Sequence, residues 1–328
     1  MFDLITIGDS VVDTLVPLSN AEVLEKGAVR MLSMPLGKKV PVEESISLVG
    51  GNGANNAVGA SRLGLKTAIY TSVGNKDDDQ NDDRIKARFK KEKIDLRYIA
   101  ETDRLPSNHN IVLNFKGERT ILTHHQPWKY HLPDLDRTKW IYLTSLSPSY
   151  VDSNIIEQLI NYIERVNCKL AFQPGTFQLK MGKRKNSKLL SLSDLFILNK
   201  EEAEAFLEIK ESENTSVKKL LKGLSDLGVK NIVITDGENG SYGYDGEAFY
   251  KLEAFPAKLV EMTGAGDSYA TALVAGLIHG KSLKEAMRWG AANSASVVEY
   301  VGAQQGLLTY TRMQDRLKEH SKIVTKEI

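Results

Sequence analysis

Residues 260–268 read VEMTGAGDS and lead straight into an apolar helical run, ATALVAGLI at 270–278. Small residues at the start of a helix clear space where unpaired backbone N–H groups and the positive dipole end attract anions. Gly264, Ala265 and Gly266 therefore suit a phosphate cradle. Asp267 suits a base that takes a proton beside a transferring phosphoryl group. The same stretch also reads as an ordinary turn closed by a helix cap, because Gly and Asp are common in both.

A second glycine cluster occupies residues 49–64, VGGNGANNAVGASRLG. Gly50, Gly51 and Gly53 permit tight backbone approach, and the amides of Asn52 and Asn55 offer donors and acceptors suited to sugar hydroxyls. Ala54, Ala57, Gly59 and Ala60 also suit close helix packing. The run is like a dinucleotide fingerprint but has Asn56 in place of the third glycine and follows an irregular region, so that reading is set aside. After the first apolar run, Asp9 and Asp13 lie just beyond the carboxyl end of a strand, where open α/β folds bind ligands. Asp13 could accept hydrogen bonds from substrate hydroxyls, with a plain turn as the alternative.

Asn199 and Glu202 follow the apolar strand 195–198, and their spacing fits a capping box. It equally fits a pair that orients waters on Mg²⁺, an ion that keeps several waters and uses few carboxylates. Residues 232–237 then run from a strand into a glycine turn, and Thr235, Gly237 and Gly240 could touch nucleotide phosphates. The run GLIHGKS at 276–282 falls one residue short of a P-loop and follows a helix, which excludes it. His124 and His125 read as surface or packing residues.

These motifs need a scaffold, and the hydrophobic pattern supplies one. Strands are predicted at 2–8, 67–73, 139–143, 169–172, 195–198 and 230–235. Helices are predicted at 53–63, 80–92, 151–166, 199–207, 215–227, 267–279 and 283–298. Alternating β and α units favour a mostly parallel sheet with helices on both faces. Residues of about 14–48 and 98–126 break the rhythm, the second as a hairpin turning at 116–118. They are expected to form a small β-sheet lid over a single α/β domain spanning 1–328, and lids exclude water from transfer chemistry. The charge-dense segment 76–95 has an acidic start and a basic end, as a solvated helix that complements its own dipole.

A net charge of +1 gives no field for nucleic acid or an anionic membrane. Cys168 is the only cysteine, so intramolecular disulfides are excluded. With a strand starting at Phe2 and no apolar run long enough to span a bilayer, the expected location is cytoplasmic.

Gly50 to Asn55, Asn199 to Glu202, Thr235 to Gly237 and Thr263 to Asp267, in that order along the chain, resemble the motifs of the ribokinase-type (PfkB) carbohydrate kinases over nearly the whole chain. The resemblance implies a three-layer α/β/α core with a small β lid. It implies ATP-dependent phosphorylation of a hydroxyl on a sugar such as ribose or fructose, with a nucleoside kinase of the adenosine or inosine type as the alternative. In that reading Asp267 is the base, and the amides of 264–266 form an anion hole. Asp13, Gly51, Asn52 and Asn55 contact the sugar. Asn199 and Glu202 serve Mg²⁺ through water, Thr235, Gly237 and Gly240 meet the nucleotide, and Asn293 borders the adenine. Many relatives carry Asp where Glu261 stands, in a loop that can hold a monovalent cation. Lid sheets can pair between subunits, so a homodimer through the lids is compatible with the sequence.

Overall fold

The computed structural model describes residues 1–27, 29–42, 44–76, 80–116, 118–209 and 215–328. In chain order, β1 (Phe2–Ile7), β2 (Val11–Pro17), a hairpin of β3 (Glu22–Lys26) and β4 (Val29–Ser33), and β5 (Ile46–Gly50) come first. Then follow α1 (Asn52–Arg62), β6 (Thr67–Gly74), α2 (Asn81–Lys91), β7 (Ile99–Thr102), β8 (His109–Phe115) and β9 (Glu118–His124). The βα rhythm resumes with β10 (Thr138–Leu143), α3 (Ile155–Val166), β11 (Lys169–Phe172), α4 (Thr176–Lys185), α5 (Ser187–Leu192) and β12 (Leu195–Asn199). It continues through α6 (Lys200–Phe206), α7 (Val217–Ser225), β13 (Asn231–Thr235), β14 (Ser241–Tyr244) and β15 (Phe249–Leu252). Helices α8 (Ala265–Ile278), α9 (Leu283–Val297) and α10 (Tyr310–Glu319) and the short β16 (Lys326–Glu327) complete the chain.

The strands form a large sheet in the order β16-β15-β14-β13-β12-β11-β10-β1-β6-β7. From β13 to β7 the neighbours are parallel, whereas β14, β15 and β16 extend the sheet antiparallel. The pleat explains the layering. Successive side chains of a strand point to opposite faces, so strands covered on both sides read as continuous apolar runs. Ile5, Ile141, Leu143, Phe196 and Leu198 pack with Leu159, Phe206 and Leu220 of α3, α6 and α7. Leu4, Trp140, Tyr142 and Ile197 pack on the other face with Leu273, Met287 and Trp289 of α8 and α9. Helix α1 lies against α8, where Gly59 makes room for Thr271 and Asn56 accepts a hydrogen bond from the Thr271 hydroxyl.

A second sheet is separate, in the order β5-β2-β8-β9, and β3 and β4 pair only with each other. The expected small sheet is therefore present, but its make-up differs from the sequence expectation. It begins at Val11, and β7 leaves it to pair parallel with β6 in the large sheet. Residue 117, at the predicted turn, lies outside the described residues, as do 77–79 of the charged segment. Helix α2 carries Asp82 and Asp83 in its first turn and Arg88, Lys90 and Lys91 in its last, as its dipole favours. The helix expected from 151 begins at Ile155, because Pro148–Asp152 winds as a 3₁₀ turn instead.

Candidate active site

Asp267 is the third residue of α8, within the turn whose N–H groups have no intrahelical partner. Gly264 precedes the helix at a φ of 80°, and a side chain there would press on Ala303. Only glycine takes that conformation without cost. A Cβ on Gly266 would meet nothing nearer than Gln173 Nε2 at 3.9 Å, so the space over the helix end is open.

The Asp267 carboxylate is buried, and both of its oxygens are held by α1. Asn52 Nδ2 donates to Oδ1 at 2.9 Å and Asn55 Nδ2 donates to Oδ2 at 2.8 Å. Helix α1 can present those amides because Gly51 caps it at a φ of 88°, with the Asp9 carbonyl and Ser10 Cα too close to admit a side chain. Gly53 N–H donates to that same Asp9 carbonyl at 3.1 Å. The two glycine motifs of the sequence thus meet in one place. Burial pushes the Asp267 carboxyl above the ordinary carboxylate range, even though the Asn55, Asn52 and Gln173 amides favour its charged form. A base raised in this way is better matched to proton transfer near neutral pH.

Asp13 approaches from β2, where Asn110 Nδ2 of β8 donates to its Oδ1 at 2.9 Å. Burial pushes its carboxyl up to about 6, the Glu261 and Asp267 charges add to the rise, and Asn110 opposes it. Asp9, the other carboxylate after β1, has a different fate. Tyr130 Oη donates to it at 2.7 Å and Ser147 N–H at 2.8 Å, and the Ser147 hydroxyl adds a third bond. It is a buried anchor for the loop before α3, set apart from Asp13.

On the other side of the α8 terminus lies a cavity of about 290 Å³, at the lower end of ligand pockets, which run about 300–1,000 Å³. Thr235, Gly237 and Gly240 line it, as do Ala265 and Gly266. Apolar groups close the rest, including Phe255, Leu259, Met262, Tyr269 and Ala295. Strand β13 ends at this cavity beside β12, with Thr235 in register with Asn199.

Asn199 and Glu202 form the capping box that their spacing allows. Glu202 N–H donates to Asn199 Oδ1 at 2.7 Å, and Asn199 N–H donates to Glu202 Oε2 at 2.9 Å. Burial raises the Glu202 carboxyl, the Asn199 N–H opposes that, and the charges of Glu201 and Asp267 add to the rise. No group of three or more His, Cys, Asp or Glu side chains among the described residues could hold a metal ion. Glu202 is thus a lone carboxylate with one oxygen engaged by the Asn199 N–H, so it could meet Mg²⁺ only through the waters such an ion keeps. Glu261 accepts from the Thr263 hydroxyl at 2.6 Å and from Gly302 N–H at 2.7 Å, so both oxygens are engaged in latching the 302 turn to the α8 approach. Asn293 does not border the cavity. It is fully buried, donates to Ser268 C=O at 2.8 Å and accepts from Leu308 N–H at 2.9 Å. Its neighbours Ala291, Ser294, Ala295 and Val298 form the wall instead, since one helical step turns a side chain by about 100°.

Residues 38–309 match the pfkB family carbohydrate kinases. The chain belongs to that family. Among curated relatives, an ATP-dependent 6-phosphofructokinase of Thermoanaerobacterium thermosaccharolyticum is 24% identical over 315 residues, covering 92% of this chain and 89% of the relative. A 5-dehydro-2-deoxygluconokinase of Clostridium beijerinckii is 26% identical over 329 residues, covering 92% and 94%. The structure of Arabidopsis thaliana ribokinase complexed with ribose and ATP superimposes with a TM-score of 0.78 at 20% identity, covering 97% of this chain and 99% of that one. The fold is that of the ribokinases.

Four polar residues of this pfkB-family site carry no sequence signal of their own. Gln304 Nε2 donates to Asn55 Oδ1 at 3.0 Å, which turns the Asn55 amide nitrogen toward Asp267. Arg88 Nε in turn donates to Gln304 Oε1 at 2.9 Å. Gln173 is oriented by the Tyr142 hydroxyl, which donates to its Oε1. Arg119 of β9 places its positive charge within reach of Asp267. A buried amide has one carbonyl and one NH₂ to satisfy, so such chains can be traced only once the partners are known.

Proposed function

We propose that this carbohydrate kinase transfers the γ-phosphoryl group of ATP to a hydroxyl of a sugar-type acceptor, with Asp267 as general base. One observation carries the reading: a buried carboxylate at a helix amino end is gripped by two asparagines of the opposing glycine motif. The acceptor lies between α1 and the small sheet, where Asp13, Asn52 and Asn55 meet its hydroxyls. The nucleotide occupies the cavity beyond the α8 terminus, with its base against Ala291, Ala295 and Val298 and its phosphates near Thr235 and Gly237.

In the reaction the acceptor oxygen forms a bond to Pγ as the bond from Pγ to the bridging oxygen breaks, and that electron pair leaves with ADP. Asp267 takes the hydroxyl proton. The N–H groups of Gly266 and Asp267 and the dipole of the α8 terminus offset charge on the equatorial phosphoryl oxygens, whereas the expected Ala265 N–H donates to the Met262 carbonyl instead. Glu202 would hold Mg²⁺ through water, and the ion would supply further charge neutralisation. The small sheet acts as the lid that keeps water from the acceptor side. A reaction that consumes ATP fits an intracellular setting.

Asp267→Asn tests the assignment. Turnover should fall by about 10²–10⁴-fold, the usual worth of a general base, while a non-hydrolysable ATP analogue binds as before. Near-normal turnover in that variant removes Asp267 from the role.

A further inference from the structure

The pleat of the small sheet sorts its side chains. Asp13 of β2 is in register with Leu48 of β5 and Asn110 of β8, and the Asn110–Asp13 hydrogen bond confirms that these two share a face. Asn110 pairs with Thr123 of β9, and two more alternations along the hairpin pair Asn114 with Arg119. Because the side-chain period is two, Arg119 stands on the same face as Asp13, the face turned to Asp267. The opposite face is marked by Thr14, Ser47 and His109, which hydrogen-bond to one another.

Arg119 lies four residues from Thr123, about 13 Å along the strand at about 3.3 Å per residue. Its charge is nonetheless felt at Asp267, so the guanidinium faces the space that an acceptor with its reacting hydroxyl at Asp267 would fill. It is exposed and has no ion pair or hydrogen bond among the described residues. Two neighbouring basic groups are taken: Arg30 of β4 pairs with Glu118 at 3.0 Å, and the ammonium of Lys116, just past β8, lies over the Phe115 ring at 5.1 Å. Meanwhile Asp13, Glu202, Glu261 and Asp267 bring negative charge to the cleft. An acceptor with a negative group would be repelled there unless a cation met it, and a neutral sugar needs no such cation.

We infer that Arg119 is a specificity determinant that receives an anionic group, a carboxylate or a phosphate, on the acceptor end remote from the transferred hydroxyl. The inference rests on the kinase reading above. An arginine suits the task because its planar fork meets carboxylate or phosphate oxygens two at a time.

The test measures kcat/KM with ATP and Mg²⁺ for ribose, fructose, fructose 6-phosphate and a six-carbon keto-deoxy sugar acid. One of the two anionic acceptors should exceed fructose by at least about 10-fold, and which one does identifies the group. Arg119→Ala should cut the ratio of anionic to neutral acceptor by about 10–100-fold, Arg119→Glu should cut it further, and Arg119→Lys should keep part of it. Phosphorylation of neutral sugars alone overturns the inference and leaves the kinase reading standing. So does an anionic preference that survives unchanged in both the Ala and Glu variants. Turnover of nothing in the panel, with nucleosides included, overturns both.

Discussion

Asp13→Asn should make the protein more stable and a worse enzyme. The Asp13 carboxyl lies at about 6 against an ordinary 3.8, chiefly because it is buried. That interval, at 1.36 kcal/mol per pH unit, converts to about 3 kcal/mol. The sign follows from linkage. A carboxyl raised in the folded state stabilises it while protonated, below about pH 4, and that contribution is lost as the pH rises through about 6. At pH 7.5 the native state therefore bears the whole cost of a buried charge near Glu261 and Asp267. The amide keeps the shape and an oxygen for Asn110 Nδ2 but carries no charge. Urea unfolding without ligands should give a gain of up to about 3 kcal/mol at pH 7.5, falling to about 1 kcal/mol at pH 4.5. In the same variant kcat/KM for the acceptor should fall by about 10–100-fold, since charge-assisted hydrogen bonds to its hydroxyls are lost. A variant less stable than the parent at pH 7.5, or one with the same gain at both pH values, refutes the argument.

Two further outcomes follow from the site. Gln304→Ala frees the Asn55 amide to turn away from Asp267 and should lower kcat by about 10-fold with the KM for ATP unchanged; equal effects on both constants would mark Gln304 as structural filler. Ser294→Trp projects a large ring into the cavity wall and should raise the KM for ATP at least about 10-fold while acceptor binding, measured by calorimetry, is retained. Loss of acceptor binding in that variant would place the nucleotide elsewhere.

Much of this arrangement is legible in the sequence because glycine and asparagine act through the backbone at fixed positions. Gly51 and Gly264 adopt positive φ where the motifs place them, and the helices begin within two residues of those turns. The central strands are legible because burial on both faces leaves unbroken apolar runs. Strands β14 and β15 are not, since SYGY and FYKL are short and mix polar with aromatic residues as antiparallel edge extensions do. Strand β7 alternates like a lid strand, and only its pairing with β6 shows where it belongs. Asn293 is named as a ligand residue only by the family resemblance; its amide instead ties α8 to the chain before α10. Gln173 and Gln304 act through contacts far apart in the chain, Arg119 through its charge alone, and none leaves a local pattern.

The division of labour between α1 and β9 has an evolutionary consequence. The base and the amides that aim it sit on two helices locked together by Gly59, Asn56 and Thr271, so almost any change there disturbs the chemistry. Strand β9 is an exposed edge, and residues 119, 121 and 123 stand on the same face as Asp13, where the proposed acceptor would bind. Mutations at those three positions can redraw substrate choice at small cost to folding. A lineage can therefore drift from one acceptor to another by editing a single strand. A combinatorial library confined to 119, 121 and 123 is the corresponding route to a kinase with a new acceptor.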